Sequence, residues 1–257
     1  MKLLHYRYFL LELIKVELTQ NYKRSFLGVV WLLILPLMQS LVWIFLEKTG
    51  LLNPGLMTVN YVAFVLIGTM VWQLYNYSYD QLGNSISTSS RILMQGFVPM
   101  IFVIMARFSL VLVRFAFSLC VNLLILSFFV DIQFHVFYFL ISLLPLILFC
   151  LSIGMVVSMV EVVNEDLFLL GKEFNKVLLF ITPIIYSAKV QNAVLNLIIM
   201  ANPLTYFISV PRGILLGEEI TIMDGFYKFG LLTVVFFLLT LWLYVRRARF
   251  VVEKLVE

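Results

Sequence analysis

Between residues 26 and 46 the chain carries no charged side chain. At about 1.5 Å per residue a helix of that length reaches roughly 30 Å, the thickness of a bilayer's hydrocarbon core. Lipid is therefore the solvent for this segment, and a backbone in lipid must satisfy its own polar groups, which leaves helices or a closed barrel. The rest of the chain agrees: 63% of residues are hydrophobic and 12% charged, and the mean hydropathy is +1.05. Soluble domains carry about 25% charged residues. Lys23 and Arg24 stand immediately before the uncharged run. Basic residues beside a span stay in the cytoplasm, so the N-terminal segment is expected inside.

Several function classes drop out at this level. The net charge of +4 does not point to nucleic acid, because the lysines and arginines cluster beside apolar runs and read as topology signals and contacts with anionic lipid. Cys120 and Cys150 lie inside apolar runs without CxxC or Cys/His spacing, so neither a disulfide framework nor a zinc site is expected. The first apolar run is long and starts only at Phe26, unlike a cleaved signal peptide, so it is read as retained. No GxxxxGK[ST] phosphate loop and no catalytic metal spacing occurs, and no covalent chemistry is expected of the chain itself.

Taken in order, residues 2–24 place Leu3, Tyr6, Leu10, Leu13 and Ile14 on one side and Glu12, Lys15, Thr19 and Lys23 on the other. That pattern predicts an amphipathic helix lying in the membrane interface. Glu17 falls on the apolar side, as a snorkelling carboxylate or as a contact with a partner subunit. The first span, 26–46, contains Pro36 and Gln39, a kink beside a polar amide that either faces a conduit or is a packing irregularity. A second span is expected at about 59–79, ending in a boundary band of Trp72, Tyr75, Tyr77 and Tyr79. The polar stretch 80–96 carries Leu82, Ile86 and Leu93 on one helical face, with Arg91 nearby, and suggests a short inner helix that docks against something.

Residues 97–106 read as a lead-in begun by Pro99, followed by a third span at 108–130. Arg107 and Arg114 are seven apart, hence on one face, with Arg114 about 10 Å deeper. A guanidinium at that depth is either bonded to carbonyls or water within the bundle, or meets an anionic substrate head group. The fourth span is 136–160. Asn164 then suits an N-cap, with Glu165 and Asp166 in the first turn where the helix dipole favours acids; with Glu161 they need no metal to explain them. The fifth span must start near 167 to reach 188, which puts Lys172, Glu173 and Lys176 in its inner half, the last two close enough to pair. Residues 190–216, divided at Asn202-Pro203, form two pieces each too short to cross and predict an outer re-entrant hairpin whose backbone protein or water must cover. A sixth span at 229–245 is stopped by the RRAR of 246–249.

The expected fold is thus an all-α integral membrane domain covering 1–257, with six transmembrane helices and both ends cytoplasmic. Charge supports that layout. Lys2, Arg7, Lys15, Lys23, Arg24, Arg91, Lys172, Lys176, Arg246, Arg247, Arg249 and Lys254 fall inside; Lys48, Lys189, Arg212 and Lys228 fall outside.

The segment NYKRSFLGVVWLLILPLMQ resembles the opening signature of the membrane subunits of type-2 ABC exporters, in the polysaccharide branch. Tyr22, Lys23, Ser25, Leu27, Gly28, Trp31 and Pro36 fit that branch's pattern. Three further blocks agree in order: YVAFVLIGTMVWQLY with Gly68 and Trp72, FITPIIYS with Pro183 and Tyr186, and ANPLTYFISVPRGILLG with Asn202, Pro203 and Arg212. Where the family usually has Arg-Asp in the fourth-to-fifth connection, this chain has Glu165-Asp166.

The resemblance implies a homodimer of this permease subunit in the bacterial inner membrane, bound to two ATP-binding subunits that hold the ATP and magnesium. Together they would export a lipid-linked polysaccharide of the O-antigen, lipopolysaccharide, teichoic acid or capsule type. The inner helices, through Leu82, Ile86, Arg91, Leu93, Glu165 and Asp166, would be coupling helices docking the ATPase. Lys23, Arg24, Arg107 and Arg114 would meet the head group. Asn202, Pro203 and Arg212 would belong to an outer gate. Aromatics, 16% of the chain, would line a sugar channel. Export of a small lipid or drug is the alternative, and a membrane glycosyltransferase a more distant one.

Overall fold

The computed structural model describes residues 11–12, 14–15, 30–50, 60–95, 98–128, 135–186 and 192–254. Most of the interfacial segment 2–24, including Lys23, lies outside the described residues, as do Arg24 and the signature positions up to Gly28. Among the described residues the fold is helical, without a strand. In chain order the helices are α1 (Trp31–Lys48), α2 (Tyr61–Gly83), the short α3 (Ser85–Thr88) and α4 (Ser90–Met94), and α5 (Met100–Leu126). They continue with α6 (Val136–Ser142), α7 (Leu144–Val163), α8 (Glu165–Ile181), α9 (Ala193–Ala201), α10 (Pro203–Leu216) and α11 (Met223–Lys254).

Among the described residues three helical stretches are long and apolar enough to cross a membrane: Met100–Leu126, Val136–Val163 and Met223–Ala248. The α9–α10 pair, bent by 83°, makes a fourth if it counts as one span. This is a helical membrane protein. The expected spans at 26–46, 59–79 and 167–188 overlap α1, α2 and α8, which are helical but are not among the stretches that meet the same criterion.

Local sequence explains the element ends. Asn60 caps α2 by accepting from the Ala63 amide at 3.3 Å, and Asn164 caps α8 by accepting from the Leu167 amide at 3.3 Å, the role expected of it. Gly50 closes α1 in the left-handed region at φ 69°, and Gly217 does the same for α10 at φ 68°. The lead-in 97–106 and the third span prove to be one helix of 27 residues, begun after Pro99. Arginine is a good helix former, and nothing near Arg107 interrupts the ladder. Likewise α11 runs past the basic cluster to Lys254, so RRAR ends the apolar run without ending the helix.

α2 is the axis of the bundle. It packs between α5 and α7, with α1 and α8 also against it, while α11 covers the far side of α7. Val62, Leu66, Ile67, Met70, Val71 and Leu74 are all buried within it. Of the aromatics expected in a boundary band, Trp72, Tyr75 and Tyr79 are buried and Tyr77 is half-buried, and the buried rings are packing partners of neighbouring helices. Two close approaches hold α2 to its neighbours. A Cβ on Gly154 would run into Leu82, and one on Gly83 would run into the Phe168 ring.

Candidate functional site

The most specific polar constellation gathers where α8 ends. Pro183 cannot continue the helix and biases Thr182 to an extended conformation, φ −81° and ψ 133°. A helix end leaves its last carbonyls without amide partners, and in a membrane protein water does not reliably supply them. Here side chains do. The Tyr186 hydroxyl reaches the Phe180 and Ile181 carbonyls at 3.0 and 2.8 Å. Arg212, from α10, donates through Nη1 to the Pro183 and Ile184 carbonyls at 3.0 and 3.2 Å, and the Tyr61 hydroxyl of α2 donates to the Ile185 carbonyl at 3.2 Å.

Arg212 is only 3% exposed. Its Nη2 donates to Ser209 Oγ at 3.4 Å, and its guanidinium carbon sits 3.4 Å from the centroid of the Phe64 ring. The ring face and the carbonyl dipoles supply the negative potential that a carboxylate would otherwise provide. Its Nε is buried without a hydrogen-bond partner. Gly68, one turn from Phe64 on α2, makes the fit possible: a Cβ there would stand 3.0 Å from the Ile184 carbonyl oxygen and 3.2 Å from Arg212 Nη1.

The elbow of the bent pair is satisfied by the same logic. Asn202 Oδ1 caps α10 at the Leu204 amide, 3.0 Å away, while its Nδ2 donates to Thr182 Oγ1 at 2.9 Å. The carbonyls of Ile199 and Met200 at the end of α9 receive the hydroxyls of Thr205 and Tyr206 at 2.6 and 2.9 Å. Pro203 occupies the first position of α10, where a missing amide proton is harmless. Asn202 and Arg212 are thereby joined to the 182–185 segment.

Farther along α2 a second set of contacts binds α8. Tyr75 donates to Asn175 Oδ1 at 3.1 Å, Tyr79 stacks on Phe168 with centroids 5.7 Å apart, and Asp80 pairs with Lys172 at 3.0 Å. The expected Glu173–Lys176 pair is formed, at 2.6 Å. Ser87 of α3 donates to the Glu161 carboxylate. Leu82, Ile86 and Leu93 are buried in the chain's own core. This corrects their reading as docking side chains: the apolar face of the 80–96 segment is covered by its own bundle, and α3 packs on α5 and α7. Thr88, Arg91, Met94 and Gln95 are exposed in that segment, and Glu165 and Asp166 are exposed at the start of α8.

Of the four candidate head-group cations, Arg107 and Arg114 are among the described residues. Arg107 donates to Thr88 Oγ1 at 3.0 Å and so serves the α3–α5 packing. Arg114 is half-buried near the middle of α5 and has no hydrogen-bond or ion-pair partner among the described residues. Lys23 and Arg24 lie outside the described residues. No group of three His, Cys, Asp or Glu among the described residues could hold a metal. Phe64, Thr182 and Asn175 escaped sequence reasoning; the four-residue spacing of Phe64 and Gly68 was the available signal for the first. No protein-family model and no curated protein matches the chain.

Proposed function

We propose that this chain is the permease subunit of an ATP-driven exporter, working as a homodimer with two separate ATP-hydrolysing subunits to move a lipid-linked glycan across the bacterial inner membrane. One observation carries the reading. Gly68, Pro183 and Arg212, which the resemblance singles out in three separate blocks, meet at a single contact, with Asn202 tied in through Thr182.

On this reading α2 and α8 move as a unit. Tyr75, Tyr79 and Asp80 fasten the two helices near one end, and Tyr61 and Arg212 fasten the α8 terminus to α2 and the bent pair near the other. A displacement imposed near Ser87 and Glu161 by a nucleotide-binding partner would then reach the α9–α10 elbow, which acts as the outer gate. Arg91, Glu165 and Asp166 present the exposed docking groups, and Arg114 offers a cation to a diphosphate head group.

The test is co-purification with a candidate ATP-hydrolysing subunit, followed by ATPase assays with lipid-linked glycans, small lipids and hydrophobic drugs. Stimulation severalfold greater with the glycans is expected. ATP hydrolysis or sugar transfer by this chain alone would overturn the proposal, and stimulation by small lipids or drugs only would transfer it to the alternative substrate class.

A further inference from the structure

A cleft of ≈ 740 Å³ opens between the last turns of α2 and the first turns of α8, lined by Asn76 and Asp80 on one side and by Asp166, Lys172, Glu173 and Lys176 on the other. Leu169 and Leu170 complete it, and the exposed Phe174 and Val177 continue the apolar surface beyond. A mixed-charge cleft beside an exposed apolar helix face is the environment of a lipid head group with its acyl chains alongside. We infer that this cleft binds a bilayer phospholipid whose head group carries both a phosphate and a primary amine, as phosphatidylethanolamine does.

The charges argue for that class. Three carboxylates face two ammonium groups, so a purely anionic head group would meet net repulsion. Asp166 has no ion-pair partner among the described residues, and it lies seven residues before Glu173, on the same face and about 10 Å away along the axis. Lys176 and Glu173 pair with each other, with their side chains 71% and 68% exposed. Such a pair contributes little, so exchanging it is nearly free. A zwitterionic head group can insert between the partners, its phosphate accepting from Lys176 and its ammonium donating to Glu173, with the Asp166 charge adding to the negative potential there, so that two contacts replace one. A choline head group has no N–H to donate, and a glycerol head group has no cation. The Lys172–Asp80 pair, about a third exposed at 3.0 Å, is left to fix the cleft wall.

The full chain, purified and exchanged into nanodiscs of equal parts phosphatidylethanolamine, phosphatidylcholine and phosphatidylglycerol, tests this by native mass spectrometry of the retained lipid. Retention of the ethanolamine lipid over both others by about threefold or more is expected, the scale of one or two exposed charge contacts. Glu173→Gln should abolish the preference over choline while leaving glycerol-lipid retention level or higher. Lys176→Gln should weaken retention of all three. Both positions are exposed, and unchanged unfolding midpoints of the variants would show that the fold is intact. Equal retention of the three lipids, a preference for the glycerol lipid, or displacement by soluble phosphoethanolamine as effective as by lipid would each overturn the inference. None of these outcomes depends on whether the chain exports glycans.

Discussion

Arg212 shows how a single side chain sets the shape of an irregular backbone. A buried guanidinium has a large desolvation cost, and no carboxylate lies within ion-pair distance among the described residues. What holds it is the need of the Pro183 and Ile184 carbonyls, which lie just beyond the end of α8 and would otherwise face an apolar interior. Removing the donor leaves both buried and unsatisfied, at about 1–3 kcal/mol each. Arg212→Met keeps much of the volume and is expected to lower stability by about 3 kcal/mol, read as a shifted midpoint in detergent-denaturant titration. Arg212→Lys should recover part of that loss, because an ammonium can serve one carbonyl but lacks the planar fork that also lies on Phe64. Equal midpoints for wild type and Arg212→Met would show that the carbonyls find other partners and that the arginine is dispensable to the fold.

Between elements, the joint of α2 and α8 depends on a glycine. A Cβ on Gly171 would collide with the Tyr79 hydroxyl, so Gly171→Ala forces either the ring or the helix to shift, at about 1–3 kcal/mol. Tyr79→Phe removes the colliding atom and only a long 3.5 Å hydrogen bond to the Phe168 carbonyl. The double variant is therefore expected to be more stable than Gly171→Ala alone, and the coupling in a double-mutant cycle gives the measurement. Additive effects would mean that α8 does not approach α2 through this contact. Much at this scale was legible in sequence, since helix ends announce themselves through local chemistry: Asn164 as a cap, Asn202-Pro203 as a break, Glu173 and Lys176 as a pair one turn apart; the helix end before Pro183 was not, since the span expected at 167–188 runs through it. What faces what was not. Leu82, Ile86 and Leu93 form an apolar stripe whether a partner or the chain's own bundle covers it, and Trp72, Tyr75 and Tyr79 look the same at a membrane boundary as in a core. Arg212, an outer-loop cation by charge count, gained its role from Phe64 and the 183–184 carbonyls, contacts across the fold that no local pattern encodes.

For the whole molecule the open quantity is the number of crossings, and burial bears on how far apolarity alone can count them. Hydropathy registers what lipid touches. α2 has 23 residues, about 35 Å at the helical rise and enough to cross. Because most of its surface packs against protein, it can carry the half-buried Gln73, Asn76 and Asp80; Gln73 meets Gln39 of α1. α8, at 17 residues, reaches only about 26 Å and needs the non-helical 182–186 segment to extend it. Both therefore remain able to cross, and six crossings are the expected outcome. Single cysteines at Lys48, Arg91, Glu165 and Asn192, in a chain with Cys120 and Cys150 replaced, decide it by labelling with a membrane-impermeant maleimide. Positions 48 and 192 should react in intact cells, and 91 and 165 only after the membrane is opened. If 48 and 91 fall on the same side, α2 does not cross; if 165 and 192 do, α8 does not, and the α2–α8 unit proposed to carry motion across the bilayer loses its span.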